Sequence, residues 1–403
     1  MAASAMAITG GSKLGTAVPW CGAELEIFKV FPFEAFSEFG RTGAQAEVCQ
    51  RPVKRTECLS QAGERCLCVV HAAAVAGPAV SIKGVSGPVD LPLLGIGTWQ
   101  YNNSVTKETV TSAFALGYRH VDTAAVYQNQ VGVGEALAEL KLQRQDYFVT
   151  SKIPGGLNAS ATAATADAGL KELNLNYVDL MLIHFPADFG KNGSKQERQK
   201  EWLALEAWAK AGKARAIGIS HYCRRQLDDL LEVATVPVAV NQVQYHVGMG
   251  SAGPMVTDDR DYMRAKGVLY QSFSPLCGPC DPPHNKELLT GPLVTGIGKK
   301  YNKSGPQVAL RWLVQQGIPV IPKSSNAKHQ KENGDIFDFE LSEQDMAQLT
   351  AATSPAVGGG PSPTDSGDCG VQETARQFVE RPMPGFTENS IPQNPRGVKP
   401  RCF

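Results

Sequence analysis

The sequence has no surplus of charge of either sign and no long run of apolar residues. Its 39 Lys and Arg residues balance its 39 Asp and Glu residues, so the formal net charge of the 403-residue chain is +0. A balanced charge gives no reason to expect a nucleic acid or an anionic membrane surface as a partner. No apolar stretch approaches the ~18 residues that a transmembrane helix needs, so we expect a soluble protein with no membrane partner.

Residue patterns that would indicate a metal site or a disulfide framework are also missing. No group of His, Cys and Asp residues has the spacing of metal ligands, so we predict no metal. The ten cysteines are scattered over a long chain, which does not suggest a small disulfide-rich scaffold. We therefore expect free thiols in a reducing compartment.

The amino-terminal segment, residues 1–78, differs from the rest of the chain. It lacks a sustained strand or helix period and carries seven basic and seven acidic side chains. Its first 23 residues contain Lys13 and no acid, which weakly resembles an organelle transit peptide. Glutamates follow from Glu24 and arginine is absent until Arg41. A disordered leader on a cytoplasmic protein is therefore favoured, and import into a plastid or mitochondrion is the alternative.

The carboxyl-terminal segment, residues 353–403, is rich in the residues that interrupt regular structure. It holds eight prolines and seven glycines, a composition that buries too little apolar surface to order itself. Disorder is therefore favoured over most of this tail. The alternative is that it folds over the preceding domain, with Phe378, Phe386 and Phe403 supplying contacts.

The middle of the chain, residues 79–352, contains eight short apolar runs that alternate with stretches of helical spacing. The runs end at Trp99, Asp122, Lys152, His184, Ser220, Gln242, Phe273 and Lys323. The helical stretches are 107–116, 131–141, 161–173, 197–211, 224–233, 256–266 and 305–316. This alternation predicts an α/β protein, a (β/α)8 TIM barrel with disordered N- and C-terminal extensions. A hairpin of residues 80–82 and 89–91 is expected to cap the bottom of the barrel.

Four residues at or just beyond the strand ends form a chemical set. Because the carboxyl ends of neighbouring barrel strands lie side by side, Asp122, Tyr127, Lys152 and His184 should converge. A phenol with its reference pKa of ~10 is a poor acid at neutral pH. A nearby ammonium lowers that pKa, and a carboxylate holds the ammonium in place. We therefore predict that Tyr127 donates a proton and that His184 orients a carbonyl, whereas His120 is expected to pack on the barrel's outer layer.

Residues 79–352 resemble the aldo-keto reductase family almost continuously. The motifs that carry the resemblance are GYRHVDTAAVYQNQVGVGEAL, NYVDLMLIHFP, GKARAIGIS, PVAVNQVQYH and IPVIPKSSNAKHQKEN, in the family's order. The resemblance implies an NADP-dependent oxidoreductase in which NADPH donates hydride to an aldehyde or ketone. It makes Tyr127 the general acid, Lys152 and Asp122 the groups that tune it, and His184 the group that positions the carbonyl. The absence of a GxGxxG motif fits a family that binds the dinucleotide across the barrel mouth.

The same resemblance implies which residues bind the nicotinamide half of the cofactor. Ser220 and Gln242 match the positions that contact the carboxamide. Phe273 stands where the family commonly stacks a tyrosine on the nicotinamide, and either ring can stack. His221 replaces the asparagine that usually adds a carboxamide contact. The set is completed by Ser274 and Leu276.

The adenosine half shows a second departure from the family. Lys323, Ser324, Glu332 and Asn333 match the positions that hold the 2'-phosphate and the adenine, but His329 stands in the place of an arginine. Arginine offers permanently charged, bidentate phosphate recognition, which an imidazole with a pKa near ~6.5 does not. Two flanking lysines compensate in part. We therefore expect a preference for NADPH over NADH, with a narrower margin than is usual.

The string Cys277-Gly-Pro-Cys280 has the form of a thioredoxin-type redox motif. Such a site needs a helix that starts directly after a strand, where the helix dipole lowers the pKa of the first thiol. Here a Ser-Pro-Leu segment precedes the motif and Asp-Pro-Pro follows it, so we interpret it as a loop over the cofactor pyrophosphate. Independent redox catalysis is not expected. A regulatory disulfide that impedes cofactor binding is a secondary hypothesis.

The substrate side of the site is less specific in sequence. Trp99 lies where the family often has a pocket tryptophan, and Phe185 follows the catalytic His184. Aromatic walls suit small aldehydes and ketones, although Trp99 could equally plug the end of the first strand. We expect a monomer that acts on a small-molecule carbonyl. The alternative is a non-catalytic NADP(H)-binding regulatory or scaffold protein on the same fold, against which the intact set of four catalytic residues argues.

Overall fold

The computed structural model describes residues 77–188, 193–249, 259–277 and 286–355, which belong to one unit, His71–Phe403. The expectations for the leader and for the tail beyond residue 355 therefore lie outside the described residues. Within those ranges, no helix has the length and apolarity that a membrane crossing requires. The same ranges contain no cluster of His, Cys, Asp and Glu side chains that could hold a metal ion.

The described chain begins with an antiparallel hairpin of two strands, β1 (Ala79–Lys83) and β2 (Pro88–Pro92). Within it, Ile82 pairs with Val89. The predicted hairpin is confirmed. Alternate side chains of the two strands are buried on one face, as expected for a short ribbon with one face against a core.

A seven-stranded parallel sheet follows, with its strands in chain order. The strands are β3 (Ile96–Gly97), β4 (His120–Asp122), β5 (Phe148–Ile153), β6 (Val178–Ile183), β7 (Ala214–Ser220), β8 (Val238–Gln244) and β9 (Leu269–Phe273). Each overlaps one of the first seven apolar runs, and β5 and β8 extend one and two residues beyond the ends of theirs. Parallel neighbours in chain order, each joined to the next by a crossover, give the topology of a β/α barrel.

The predicted eighth strand, GIPVIPK, is reduced to two isolated bridges. Val320 pairs in parallel with Leu94 on one side and with Ser272 on the other. The segment therefore lies between the first and last strands of the sheet and closes the barrel, so the predicted fold class is confirmed. Its two prolines lack the N–H donors that a full ladder requires, which explains why no regular strand forms here.

Alternation along the strands sorts side chains between the inside and the outside of the barrel. Phe148, Leu180 and Leu182 share an interior cluster with the hairpin residues Val89 and Leu91. The intervening residues pack in a second cluster with the surrounding helices; examples are Val149, Met181 and Ile217. The hairpin therefore contributes side chains to the barrel interior. This agrees with the prediction that it caps the barrel.

His120 lies inside the barrel, so its predicted place in the outer layer is wrong. Its ring packs edge-on against Phe148, with the centroids 5.0 Å apart, and its Nε2 hydrogen-bonds with Thr150 Oγ1 at 2.9 Å. His120 and Asp122 are two residues apart in one strand and therefore share a face. Burial, and then the charge of Lys152, lowers the pKa of His120 to about 3, so the ring is neutral.

Eleven helices are found in the described ranges. They are α1 (Asn103–Ala115), α2 (Gln130–Leu140), α3 (Ala159–Leu173), α4 (Lys195–Trp208), α5 (Arg224–Leu231), α6 (Asp259–Ala265), α7 (Glu287–Thr290), α8 (Pro292–Tyr301), α9 (Gly305–Val314), α10 (Ala327–Gly334) and α11 (Glu343–Thr350). The seven predicted helical stretches correspond to α1–α6 and α9. Gly117 and Gly317, which follow α1 and α9, have φ of +99° and +73°, the left-handed conformation that ends a helix before the next strand.

Candidate active site

A cavity of about 450 Å³ opens at the carboxyl ends of the strands. It is lined by all but three of the predicted site residues. Those that line it are Trp99, Asp122, Tyr127, His184, His221, Gln242, Phe273, Ser274, Leu276, Lys323, Ser324, His329, Glu332 and Asn333. The three others, Lys152, Ser220 and Phe185, are buried next to the lining with at most 8% of their surface exposed.

The centre of the site is a buried ion pair beside a phenol. Lys152 Nζ lies 2.5 Å from Asp122 Oδ1 and also donates to the backbone oxygen of Thr123 at 3.0 Å. Its third contact is the Tyr127 hydroxyl at 3.3 Å. Tyr127 reaches this point because a single 3-10 turn, Ala125–Tyr127, follows β4 directly. The ammonium is therefore held by two oxygens and directed at a third.

Burial dominates the electrostatics of this ion pair. It raises the pKa of Asp122 and lowers the pKa of Lys152, because each charge is removed from water. The attraction between the two groups opposes both shifts. Gln242 Nε2 adds a hydrogen bond of 2.8 Å to the second carboxylate oxygen, which favours the ionised carboxylate.

The predicted lowering of the Tyr127 pKa is wrong in direction. Burial, and then the negative charge of Asp122, raises the pKa of Tyr127 well above its ordinary value. The prediction considered the ammonium of Lys152, which by itself would lower the pKa of Tyr127. Burial removes water from around the phenolate, and this effect is larger. Since the ion pair presents both signs of charge to the phenol, its net effect does not offset burial. The phenol therefore keeps its proton throughout the neutral range.

His184 faces Tyr127 across the cavity wall. The two rings meet edge-on, with their centroids 5.6 Å apart. The His184 backbone N–H donates to the oxygen of Ile153 at 2.9 Å, which ties the end of β6 to the end of β5. Burial, and then the positive charge of Lys152, lowers the pKa of His184 well below its usual value. The imidazole is therefore neutral and can offer an N–H to an oxygen without carrying a charge.

The ring of Phe185 packs behind the imidazole of His184. It stacks on His184 at 4.5 Å with an interplanar angle of 13°, and on His221 at 4.6 Å. His221 in turn lies 4.9 Å from Phe273. These four rings form one continuous aromatic wall. Phe185 is not among the residues that line the cavity, and its ring supports the wall from behind. The substrate contact proposed for Phe185 therefore stays a prediction.

The tautomer of His221 follows from its contacts. Its Nδ1 lies 3.0 Å from the backbone oxygen of His184 and 2.9 Å from Ser220 Oγ. A carbonyl oxygen can only accept, so Nδ1 carries the proton and Nε2 is the acceptor atom. Burial lowers the pKa of His221 to about 4, which keeps the ring neutral. Ser220 Oγ donates to the backbone oxygen of Gln242 at 2.8 Å and so joins β7 to β8.

Lys323, which the resemblance assigns to the 2'-phosphate, is held by the loop after β3. Its Nζ donates to Gln100 Oε1 at 2.9 Å and lies 5.6 Å from the ring centroid of Trp99 and 5.1 Å from that of Tyr101. Cations are attracted to aromatic faces at such distances. Burial lowers the pKa of Lys323. An anion at this end of the cavity would meet an ammonium that aromatic rings already orient.

The remaining adenosine-side residues follow on α10. This helix starts at Asn326, whose side chain accepts from the backbone N–H groups of Lys328 and His329. His329, Glu332 and Asn333 all line the cavity. The sequence contained no apolar period over this polar helix, which is why it was not predicted, although the motif residues that it carries were.

Several residues of the site were missed by the sequence analysis. Asn129 Nδ2 donates to the backbone oxygens of Thr98 and Tyr101 at 2.8 and 2.9 Å, and its Oδ1 accepts from Thr123 Oγ1 at 2.9 Å. It therefore fixes the turn that carries Tyr127 to the loop that carries Trp99. Its place in the YQN segment directly after Tyr127 was the available signal. Other unpredicted lining residues are Gln100, Leu289 and Pro306.

The expectation of free thiols is wrong for two cysteines near the site. Cys223 and Cys277 are both disulfide-bonded and almost fully buried. Cys223 precedes α5, and Cys277 directly follows Leu276 of the cavity lining. The regulatory disulfide hypothesis for Cys277 and Cys280 stays a prediction, because Cys280 lies outside the described residues.

Comparisons with known proteins agree with this geometry. The model of the aldo/keto reductase family matches residues 93–354. Over 267 residues the chain is 38% identical to the glyoxal reductase of Bacillus subtilis (strain 168), covering 65% of this chain and 89% of that protein. It is 36% identical over 278 residues to aldo-keto reductase family 1 member A1-A of Danio rerio, covering 64% of this chain and 84% of that protein.

Solved structures give the same result. The crystal structure of an aldo-keto reductase enzyme from a Medee basin deep-sea metagenome library has a TM-score of 0.62 at 31% identity, covering 71% of this chain and 100% of that chain. The aldose reductase of Schistosoma japonicum has a TM-score of 0.60 at 29% identity, covering 68% of this chain and 92% of that chain. With its barrel, its buried ion pair beside a phenol and these matches, the chain belongs to the aldo/keto reductase family, whose members are oxidoreductases that reduce carbonyl compounds.

Proposed function

We propose that the protein reduces small aldehydes or ketones to alcohols, with NADPH as the hydride donor and Tyr127 as the general acid. One observation carries this proposal. The hydroxyl of Tyr127 lies 3.3 Å from Lys152 Nζ, and that ammonium is paired with Asp122 at 2.5 Å at the wall of an aromatic-lined cavity. A protonated phenol next to a buried cation is suited to give its proton to an oxygen that is gaining negative charge.

The residues of the chain divide the work of the reduction. A bound reduced nicotinamide supplies hydride to the carbonyl carbon. As the carbonyl oxygen gains charge, Tyr127 gives it the phenolic proton and Lys152 stabilises the phenolate that remains. Asp122 holds the ammonium in place. The neutral His184 offers a ring N–H to the same oxygen and orients the carbonyl, and a solvent proton later restores the phenol.

The residues present fit a nicotinamide cofactor. The ring of Phe273 contributes a flat apolar face to the cavity. Gln242 Nε2 already donates to Asp122 and to Gln271 at 2.8 and 3.0 Å, so its carbonyl oxygen is the atom suited to accept from a carboxamide N–H. The acceptor atom of His221 is Nε2, as its tautomer requires. Both side chains therefore favour the amino side of a carboxamide.

The preference for NADPH over NADH is part of the same proposal. Lys323, Ser324 and His329 line one end of the cavity, where they would hold the 2'-phosphate, with Glu332 and Asn333 beside the adenine. The imidazole of His329 lacks the planar fork of N–H donors that binds a phosphate bidentately, so it contributes less to phosphate binding than a guanidinium would. Titration of both cofactors by intrinsic fluorescence tests this preference. Equal or tighter binding of NADH would overturn it.

The decisive experiment measures NADPH consumption against a panel of aldehydes, ketones and quinones. The panel includes glyoxal, because one relative of this chain is a glyoxal reductase. A Tyr127→Phe variant is expected to bind NADPH within about twofold of the wild type and to lose ~10²–10⁴ of its turnover, which is the usual contribution of a general acid. Full activity in this variant would remove Tyr127 from the role of acid.

The alternative is a non-catalytic NADP(H)-binding regulatory or scaffold protein. It would bind NADPH with the same residues but reduce no carbonyl in the panel. The buried Lys152–Asp122 pair argues against this alternative, because an ion pair at 1–2% exposure is costly to keep where it serves no chemistry.

A further inference from the structure

Two loops at the mouth of the barrel lie against each other through their backbones. Residues 154–158 join β5 to α3, and residues 184–188 follow β6. A Cβ atom added to Gly155 would lie 1.9 Å from the carbonyl oxygen of Phe185, and one added to Gly156 would lie 2.2 Å from the backbone nitrogen of Asp188. These distances leave no room for a side chain at either glycine, because the backbones of the two loops are packed directly against each other. A shift of the first loop therefore displaces the second.

Glu201 of α4 fastens the first loop. Its side chain is fully buried, with 0% exposure. Its Oε2 accepts from the backbone N–H of Gly156 at 2.9 Å, and its Oε1 accepts from that of Leu157 at 3.1 Å. Burial raises the pKa of Glu201 to about 8, and the two N–H groups oppose that rise. This carboxyl group is thus committed to the loop and to no exposed partner.

The second loop begins with the groups next to the reacting carbonyl. The His184 backbone N–H binds Ile153 at the end of β5, and the ring of Phe185 stacks on the imidazole of His184 at 4.5 Å. A change in the backbone at Phe185 therefore moves the ring that supports the catalytic imidazole. The predicted cofactor contacts come from other elements, the ends of β7 to β9 and α10. Among them, His221 touches this path, because it stacks on Phe185 at 4.6 Å and its Nδ1 donates to the backbone oxygen of His184 at 3.0 Å.

We propose that Glu201 is a positioning residue for the carbonyl substrate. By fastening the loop after β5, it holds the loop after β6, and with it Phe185 and His184, at the cavity wall. This inference rests on the proposed carbonyl reduction. Glu201 acts through these residues and does not line the cavity, so it is expected to affect the use of substrate more than the binding of cofactor.

The same helix supplies a matched control. Glu206 is 2% exposed and also accepts from two backbone N–H groups, those of Thr235 and Val236, at 2.7 and 2.9 Å. These residues precede β8 and therefore lie at the opposite end of the barrel from the cavity. The two glutamates share a helix, low exposure and a pair of backbone N–H donors, but they fasten opposite ends of the barrel. Glu206 differs in that it also accepts from Trp202 Nε1 at 2.8 Å and pairs with Lys210 at 3.2 Å.

The test compares Glu201→Asp with Glu206→Asp. An aspartate is one methylene shorter and cannot reach both N–H groups. Because a misplacement of about 1 Å near a reacting group can cost ~10²-fold, we expect Glu201→Asp to lower kcat/KM for the carbonyl by ~10–100-fold, chiefly through KM. Its Kd for NADPH should stay within about twofold. Glu206→Asp should leave kcat, KM and Kd within about twofold, even where its thermal midpoint falls.

Two further measurements make the result decisive. Glu201→Gln keeps the length of the side chain but has one acceptor oxygen for the two N–H groups, so it should also lower kcat/KM, without changing the reach of the side chain as Glu201→Asp does. Amide hydrogen exchange at Gly156 and Leu157 should be faster in Glu201→Asp than in the wild type, and this readout needs no turnover. Equal kinetic losses in Glu201→Asp and Glu206→Asp, or unchanged exchange, would overturn the proposal. A wild-type protein that reduces no carbonyl would instead remove the proposed function, and exchange alone would then decide whether Glu201 fastens the loop.

Discussion

At the scale of the residue, burial decides the behaviour of the catalytic groups. Tyr127, Lys152 and His184 are each at most 9% exposed. Burial therefore shifts the pKa of each group in the direction that favours its uncharged form, upward for the phenol and downward for the amine and the imidazole. The phenol keeps its proton and the imidazole stays neutral. Both are the forms that the proposed mechanism requires, because the proposed acid must have a proton to give and the proposed orienting group must not repel the ammonium of Lys152.

The pH dependence of the two reaction directions follows from the raised pKa of Tyr127. Reduction uses the phenol, which is protonated at all pH values below its folded pKa, so kcat should not fall between pH 6 and pH 9. Alcohol oxidation uses the phenolate as a base, so its rate should rise as pH increases over the same range. Steady-state rates in both directions check this. A reduction rate that falls to half its value as the pH is raised from 6 to 8 would show that Lys152 lowers the pKa of Tyr127 after all.

The adenosine end supplies a second prediction for a single residue. His329→Arg should tighten NADPH binding about tenfold, because a hydrogen bond to a charged group contributes ~1.5–3 kcal/mol. The Kd for NADH, which lacks the 2'-phosphate, should change by less than about twofold. Fluorescence titration of both cofactors measures the difference. An equal gain for the two would place His329 away from the phosphate.

At the scale of the element, the β1–β2 hairpin completes the barrel core. Leu91 is 0% exposed and lies in the interior cluster with Phe148 and Leu180. The strands alone leave the barrel interior open at one end, and the hairpin supplies the missing apolar side chains. It precedes the matched family region, residues 93–354, yet it packs as part of the same core.

Truncation of the hairpin core should destabilise the fold without changing the site. Leu91→Ala should lower the free energy of unfolding by about 2–5 kcal/mol, the usual cost of a buried leucine truncation. The matched exposed change Val131→Ala, at 42% exposure, should cost less than about 0.5 kcal/mol. Urea unfolding measures both values, and the Kd for NADPH serves as the control. Equal costs for the two would show that the hairpin is not part of the core.

At the scale of the whole molecule, the disulfide-bonded state of Cys223 and Cys277 connects stability to the redox compartment. Both side chains are buried, and a disulfide constrains the unfolded chain more than the folded one. A molecule of this size has a large core and does not need such a bond to fold. Disulfide bonding at these two positions therefore adds a sensitivity to reductant that the barrel alone would not have.

Reduction should lower the free energy of unfolding by about 2–4 kcal/mol. Denaturation with and without reductant measures this shift. The Cys223→Ser variant lacks one of the disulfide-bonded sulfurs, so reductant should change its free energy of unfolding less than that of the wild type. NADPH titration in both redox states tests whether oxidation impedes binding next to Leu276. Labelling of Cys223 and Cys277 as free thiols in the denatured, unreduced protein would contradict the disulfide assignment.

Local patterns in the sequence were sufficient to predict much of this protein. The apolar runs overlapped the seven regular strands, and the stretches of helical spacing corresponded to α1–α6 and α9. The residues at the ends of the runs predicted side chains of the site: six of the eight line the cavity, and Lys152 and Ser220 are buried beside it. These features depend on spacing and residue type within a few positions of the chain, because alternation in a strand and periodicity in a helix are local properties.

Tertiary structure alone decided the rest. Val320 closes the barrel through two bridges, His120 faces inward, burial reverses the expected shift of the Tyr127 pKa, and Glu201 of a surrounding helix fastens a loop beside the site. The physical reason is common to all four. Each depends on the solvent excluded or the partner supplied by residues distant in sequence, and a local pattern contains no information on either.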